Sequence, residues 1–333
     1  MELQRRELVG EILDPRHGFR PLETRVETRI DPLTGHSARL VRGGRLMPRI
    51  EFDLEQLARE TRPTCPFCPE RIEDRTPRFP ERVIEDGRIL RGQAVLFPNL
   101  NAYGAFSSVA VYSASLHHLP LSEMTPKLVA DNLAAQVEFV RAAMLADPAA
   151  EWWSVNANHM LPSGSSLFHP HTQGLVDPVP TTQQRLLARV PAARFRDYVE
   201  AERRAGTRYL GRTGAAEWVA SFAPLGPGEL RAFLFDISSP AELDNSVVAD
   251  LGRGVAAALG LYAELGFESF NLALYGGVPG SAQHPLNLRL MCRSNPQPFY
   301  RSDATHLERL HWESAVDVWP EEIAEAAGDR FRD

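Results

Sequence analysis

The chain has 333 residues, a formal net charge of -7 and 44% hydrophobic residues. Gly (23) and Pro (26) together fall well short of the roughly 25–30% share that marks low-complexity chains, so there is apolar mass for a large core, in about two domains or one large one. No apolar run approaches the ~18–20 residues of a membrane span, no apolar stretch of the secretory kind opens the chain, and net acidity without a basic cluster argues against a nucleic-acid backbone as partner; three cysteines are too few for a disulfide framework and point to a reducing cytoplasm.

Residues 1–60 read as polar and turn-rich, with Asp31-Pro32-Leu33-Thr34-Gly35 the clearest turn, because Asp-Pro sets an extended-to-turn step and Gly35 supplies permissive dihedrals. After a proline-rich knuckle (Pro63, Pro66, Pro69), 94–98 and 107–113 read as short strands bounded by turn residues. Over 124–146, Leu128, Val129, Leu133, Val137, Val140 and Met144 recur at three- and four-residue steps behind Thr125-Pro126, which predicts a helix. Strands are expected over 152–158 and 168–176. The second half repeats the texture: strands over 217–222 and 230–236, a helix over 240–265, strands over 269–276 and 287–292, and a short helix after Pro320. Four strands and a helix, twice, suggest two similar α+β units.

Residue spacing carries the repeat further. Asn156, Pro162-Ser163-Gly164-Ser165 and His169-Pro170 in the first half are matched by Asn271, Pro279-Gly280-Ser281 and His284-Pro285 in the second, with 13 residues from Asn to His in each. The alternative is two unrelated hairpins that share turn chemistry.

The strongest chemical signal is His169-Pro170-His171-Thr172-Gln173 behind a Gly/Ser loop. On a strand, residues two apart face the same side, so His169, His171 and Gln173 are expected on one face, where burying two imidazoles and a carboxamide without purpose is costly. The loop can turn N–H groups and hydroxyls toward a phosphate, and imidazole is a nucleophile competent toward phosphorus. The alternative is a set of surface histidines in a turn. Cys65-Pro66-Phe67-Cys68 presents two thiolates in the spacing of a zinc knuckle, with His117, His118 and His169 as candidate partners; a redox pair and two buried cysteines are the other readings. Cys292, in an apolar strand, reads as core.

These pieces run in an order that resembles the galactose-1-phosphate uridylyltransferase branch of the histidine-triad superfamily, which also holds ADP-glucose phosphorylase-like and dinucleoside tetraphosphate phosphorylase-like enzymes. The resemblance lies in Asp31-Pro32-Leu33-Thr34-Gly35 with Arg45 downstream, Cys65-Pro66-Phe67-Cys68-Pro69, Phe97-Pro98-Asn99, and His117 six residues before Glu123. It continues in Asn158 eleven residues before His169, Gly164-Ser165-Ser166, and the His169–Gln173 run.

The resemblance implies an α+β fold of two pseudo-symmetric antiparallel half-barrel units with flanking helices. The zinc knuckle and the nucleophile motif would lie in 1–190, a degenerate second unit in 191–333, and the protein would be a homodimer. It implies that His171 is the nucleophile, that Gln173 holds the transferred phosphoryl, and that Gly164, Ser165 and Ser166 line the phosphate loop, Ser166 binding the neighbouring phosphate. Asn158 and Asn99 would hold phosphate and ribose, and Arg45 would face the second substrate. Cys65, Cys68, His117 and His169 would hold a structural zinc, His117 being favoured over His118. The implied activity is nucleotidyl transfer, of UMP foremost, between a nucleoside diphosphate sugar and a sugar 1-phosphate through a nucleotidyl-histidine. The alternatives are a phosphorylase that uses inorganic phosphate on such sugars or on dinucleoside polyphosphates, and a noncatalytic nucleotide-binding protein. The second half departs from the pattern at His284-Pro285-Leu286 and at 310–322, so a second metal site is not expected and the acceptor side is altered.

Overall fold

A computed structural model describes residues 1–42, 46, 52–298 and 302–333. The first strands are β1 (Arg5–Asp14), β2 (Arg20–Ile30) and β3 (Ser37–Val41), followed by helices α1 (Leu54–Thr61) and α2 (Ile72–Arg75). Then come β4 (Ile89–Arg91), β5 (Ala94–Pro98), β6 (Phe106–Val111), α3 (Pro126–Ala146), β7 (Trp152–His159) and β8 (His171–Asp177). Helices α4 (Thr182–Ala188) and α5 (Ala192–Ala205) lead to β9 (Tyr209–Thr213), β10 (Ala216–Ala220), β11 (Leu230–Leu234), α6 (Asn245–Glu264), β12 (Ser269–Tyr275) and β13 (Leu286–Arg293). The chain closes with β14 (Ser314–Val316) and α7 (Pro320–Ala327).

Ten strands form one sheet in the order β4-β5-β6-β8-β7-β12-β13-β11-β10-β9. The order is a palindrome: five strands with α3 between β6 and β7 are repeated as five strands with α6 between β11 and β12. The sequence reading found four strands per unit and missed the outermost of each, β4 and β9. All pairings in this sheet are antiparallel.

Directly paired residues share a face of the sheet. One unbroken row runs Phe97, Val109, Gln173, Asn156, Ala273, Arg289, Arg231, Val219 across eight strands. The opposite face carries Leu96, Ala110, Ala157, Leu272, Leu290 and Ala232, all buried, against α3 and α6. Both helices begin as their sequences direct. Thr125 caps α3 by accepting from Leu128 N (3.3 Å), with Pro126 at the first helical position. Asp244 caps α6 by accepting from Ser246 N and Val247 N (both 2.9 Å). The expected start of the second helix at 240 is a separate short turn, Pro240–Glu242. By length and composition α6 could cross a membrane, contrary to the sequence reading, but Leu251, Val255, Leu259 and Tyr262 are spent in the core.

Residues 1–60 hold more structure than their turn-rich composition suggested. β1 and β2 form a long hairpin, joined by β3 and, in parallel, by β14 into a four-stranded sheet. Most of β1 is exposed on both faces, so no period-two pattern of burial marked it.

The Asp31–Gly35 turn forms as expected: Asp31 Oδ1 accepts from Leu33 N and Thr34 N (both 2.8 Å), and Gly35 takes φ +77°, a conformation costly for other residues. The other carboxylate oxygen accepts from Arg231 Nη1 (2.9 Å), while Arg289 donates to Glu229 (2.7 Å) and stands 3.7 Å from Asp31. All four charges are buried. The turn that launches β3 is thus pinned to the site face of the second unit.

The spacing match between the two hairpins is one residue out of phase in space. His171 and Gln173 face the polar side of the sheet, whereas Leu286 faces the core, and Asn287, Arg289 and Met291 occupy the polar side of β13. Because side chains alternate with period two, one residue of offset exchanges the faces. His284 is held in its loop, with Ser281 Oγ at 2.7 Å from Nδ1 and Nε2 donating to Val190 O (2.9 Å).

Burial works to raise the Asp31 pKa, but Arg231 and then Arg289 overcome it and hold the carboxyl well below the ordinary carboxylate range. Its contribution to stability is therefore present above the unfolded value of about 4 and is lost as pH falls toward the folded value. Asp31→Asn leaves two guanidiniums short of a buried counter-charge and should lower unfolding stability by about 3–5 kcal/mol near pH 7. Urea melts should also show a smaller loss on acidification than in the wild type; equal stabilities at pH 7 would contradict the pin.

Candidate active site and metal centre

The knuckle at 65–68, the segment after β6 and the segment before β8 bring Cys65, Cys68, His117 and His169 together. All four are buried, and their ligand atoms lie within 4.8 Å of one another. Cys68 Sγ is 3.3 Å from His117 Nδ1 and 3.8 Å from His169 Nδ1, and Cys65 Sγ is 3.6 Å from His169 Nδ1. Tetrahedral zinc with sulfur and nitrogen ligands has edges of roughly 3.3–3.8 Å, so the donor set fits that ion.

The ring tautomers fit as well. His169 Nε2–H donates to Ser113 O (2.8 Å), which leaves Nδ1 as a lone pair facing the cysteines. Thr61 Oγ1 donates to Leu57 O (2.7 Å) and so accepts from His117 Nε2–H (2.9 Å), which turns Nδ1 inward in the same way. Such outer partners orient metal-binding imidazoles. Burial, and then Cys65, push the Cys68 thiol up to about 12, while burial lowers His169 to about 4 and lowers His117. Without a cation the Cys68 thiol and the two imidazoles are neutral, and a bound cation would stabilise the thiolate form it needs. His118 points elsewhere: its Nδ1 donates to Glu55 Oε1 (3.0 Å).

The strand containing the His-Pro-His run begins only at His171, because Pro170 has no N–H for the ladder. His169 therefore does not share a strand face with His171 and Gln173, as the alternation had implied; its ring joins Cys65, Cys68 and His117. Its carbonyl has a second use, accepting from His171 Nδ1–H at 2.8 Å. This leaves His171 Nε2 as the lone-pair nitrogen. Burial lowers the His171 pKa, opposed by the bond to His169, so the ring is neutral at pH 7. Phe67 packs edge-on against His171 (5.4 Å between ring centres) and His169 (6.0 Å), joining the knuckle to the start of β8. Gln173 follows on the same face, opposite Asn156 of β7.

The remaining residues divide. Asn158 lies at the end of β7 on the same face, its Oδ1 accepting from Asn271 Nδ2 (2.7 Å). It borders a cavity of about 420 Å³ with Ser163, Gly164, Arg293, Glu308 and Arg309. Gly164 and Ser166 are exposed, whereas the Ser165 hydroxyl is turned inward and donates to Leu167 O (2.6 Å), so it does not face a ligand as the loop composition suggested. Asn99 follows β5 at the level of Ser107 and Leu175. That position is two strands across and four residues along from His171, roughly 15 Å at sheet spacings. Arg45 lies outside the described residues. Sequence reasoning missed Thr61 and Ser113, which set the tautomers from 56 residues away in each case, and Phe67, whose place inside the Cys-x-x-Cys run was the available signal.

The palindromic sheet, the buried two-cysteine, two-histidine cluster and the His-Pro-His-Thr-Gln strand against it define a class. The fold is that of ADP-glucose phosphorylase and uridylyltransferase structures, and the chain shares a family with an archaeal protein of similar length. In sequence it is 31% identical to an uncharacterized protein of Archaeoglobus fulgidus over 341 residues, spanning 97% of both chains. No family model matches it. Its fold is similar to that of an ADP-glucose phosphorylase from Arabidopsis thaliana with bound ADP-glucose (TM-score 0.67, 20% identity, 91% of this chain and 98% of that one). It is also similar to a uridylyltransferase (TM-score 0.59, 20% identity, 91% and 98%).

Metal analysis of the purified chain should find about one zinc per chain, the capacity of one tetrahedral four-ligand site. Cys65→Ser and His117→Ala should lose most of it and melt at lower temperature, whereas His118→Ala should keep it. Zinc retained in His117→Ala but lost in His118→Ala would reassign the ligand.

Proposed function

We propose that the protein is a nucleotidyltransferase that passes a nucleoside monophosphate through His171. The observation that carries this reading is the single free nitrogen of His171, whose ring is kept neutral by burial and oriented by the His169 carbonyl. His171 Nε2 attacks the α-phosphorus of a nucleoside diphosphate sugar, the bond to the bridging oxygen breaks, and the sugar 1-phosphate leaves. An oxygen of a second phosphate-bearing acceptor then attacks the nucleotidyl phosphorus and releases His171. Two displacements replace one difficult transfer.

The Gln173 carboxamide, next on the same face, donates to the phosphoryl oxygens where charge builds. A carboxamide offers water no proton acceptor of imidazole strength, which favours transfer over hydrolysis. Asn158 and the exposed loop at Gly164 and Ser166 bind the adjacent phosphate. The position of Asn99, some strands away, suits the ribose end of the nucleotide. Cys65, Cys68, His117 and His169 would hold zinc, which would supply the charge that keeps the knuckle closed on the strand.

A second reading uses inorganic phosphate as the acceptor. It is favoured by the cavity beside Asn158, bordered by Arg293 and Arg309, and by the changed segment at 310–322. The likeness to an ADP-glucose phosphorylase supports it equally well, since that enzyme shares the fold.

Incubation with uridine, adenine and guanine diphosphate sugars, followed by mass spectrometry at neutral and acid pH, should find an acid-labile nucleotide adduct on His171. His171→Ala should abolish turnover. Absence of any adduct with all donors would refute the proposal. Adding phosphate or a sugar 1-phosphate to the adduct and analysing products then decides between the two acceptors.

A further inference from the structure

Thr172 and Gly174 interleave with His171 and Gln173 but point through the sheet toward α3. Thr172 Oγ1 donates to Asn132 Oδ1 (2.6 Å) and accepts from Gln136 Nε2 (3.0 Å). Asn132 Nδ2 donates to Ala110 O of β6 (2.8 Å). Gln136 Oε1 accepts from Ser108 Oγ (2.8 Å), and Ser108 Oγ in turn accepts from Gly174 N of β8 (3.2 Å). The chain of bonds thus starts on the backbone of one strand and ends on the backbone of its neighbour. Asn132, Gln136 and Ser108 are 0% exposed and Thr172 is 2% exposed. None of the four leaves a buried side-chain nitrogen or oxygen without a partner.

Burying two carboxamides and two hydroxyls carries a desolvation cost that apolar packing avoids. The second unit shows that this sheet–helix contact does not need them. There the helix-facing residues of β13 are Leu286, Leu288, Leu290 and Cys292, against Leu251, Val255 and Leu259 of α6. Among the described residues this polar relay occurs only behind the strand that carries His171.

Asn132 and Gln136, one turn apart on α3, grip the Thr172 hydroxyl from two sides. A slip of β8 by two residues would preserve which side chains face the core but would break the three bonds that β8 makes, from Thr172 to Asn132 and Gln136 and from Gly174 to Ser108. Gly174 belongs to the same device: a Cβ there would lie 2.4 Å from Gln136 Oε1 and 2.5 Å from Ser108 Oγ.

We infer that Asn132 and Gln136, acting through Thr172, are positioning residues that fix the register of β8 and so the placement of His171 and Gln173. The inference rests on the reading of His171 as the nucleophile. They touch no substrate; their effect is on how often the two site residues stand in reacting geometry.

The test is the single-turnover rate of adduct formation on His171, measured with the zinc-loaded full chain and the donor that labels the wild type. Thr172→Val removes the hydroxyl at nearly constant shape, and Thr172→Ser keeps it. Thr172→Val should slow adduct formation about 10- to 100-fold, the scale of an ångström-level misplacement, with donor affinity and zinc content unchanged. Thr172→Ser should retain the wild-type rate within about threefold, well inside that scale. Gln136→Met should behave as Thr172→Val does.

Folded, zinc-bound Thr172→Val and Gln136→Met that form the adduct at the wild-type rate would overturn the inference while leaving His171 as the nucleophile. So would failure of both variants to fold, which would make the relay a requirement of folding alone. A wild type that forms no adduct on His171 would remove the reading beneath it, and the inference with it.

Discussion

The site depends on one residue used twice. His169 gives its ring to the cluster with Cys65, Cys68 and His117, and its carbonyl to the Nδ1–H of His171. A backbone carbonyl can only accept, so this bond selects the His171 tautomer and leaves Nε2 with the lone pair. Ser113 does the same for His169 through its own carbonyl. The Cys65–Cys68–His117–His169 cluster, the turn at Pro170 and His171 are therefore mechanically one piece. A disturbance at the knuckle reaches His171 through a single peptide unit and through Phe67, which packs against both rings.

The ten-stranded sheet separates two kinds of work by face. Its helix side is largely apolar, and the relay of Ser108, Asn132, Gln136 and Thr172 lies there behind β8. Its open side carries Gln173 and Asn156 in the first unit and Arg289 and Arg231 in the second, along a single cross-strand row. The duplicated architecture has diverged most on this side. In the first unit polar groups are left facing outward beside a lone-pair nitrogen. In the second they are consumed by Asp31 and Glu229, which tie the N-terminal turn to the sheet.

What could be read from the sequence was local. The Thr125-Pro126 start of α3, the Asp31–Gly35 turn, the Cys-x-x-Cys knuckle and the His-Pro-His-Thr-Gln strand all announce themselves within a few residues. The β1–β2 hairpin did not, because a strand exposed on both faces has no reason to alternate apolar and polar side chains. The choice between His117 and His118 rests on Thr61 and Glu55, which only the fold brings near. Pro170 shows how a legible strand can still mislead: the periodicity was right for His171 and Gln173, but the missing N–H displaced His169 into a different role. The phase of β13 was hidden for a related reason, since matching spacing in two loops does not ensure matching faces in the strands that follow.

A neutral imidazole with one oriented nitrogen, backed by a relay that holds its strand, is suited to attack and release phosphorus in turn. That double use separates this account from direct transfer between two bound substrates. The stereochemical course at the α-phosphorus tests it most directly, using a single diastereomer of a nucleoside diphosphate sugar with sulfur on that phosphorus. Two successive in-line displacements through His171 predict net retention of configuration in the product. Inversion would mean a single displacement and would contradict a nucleotidyl-histidine on the path.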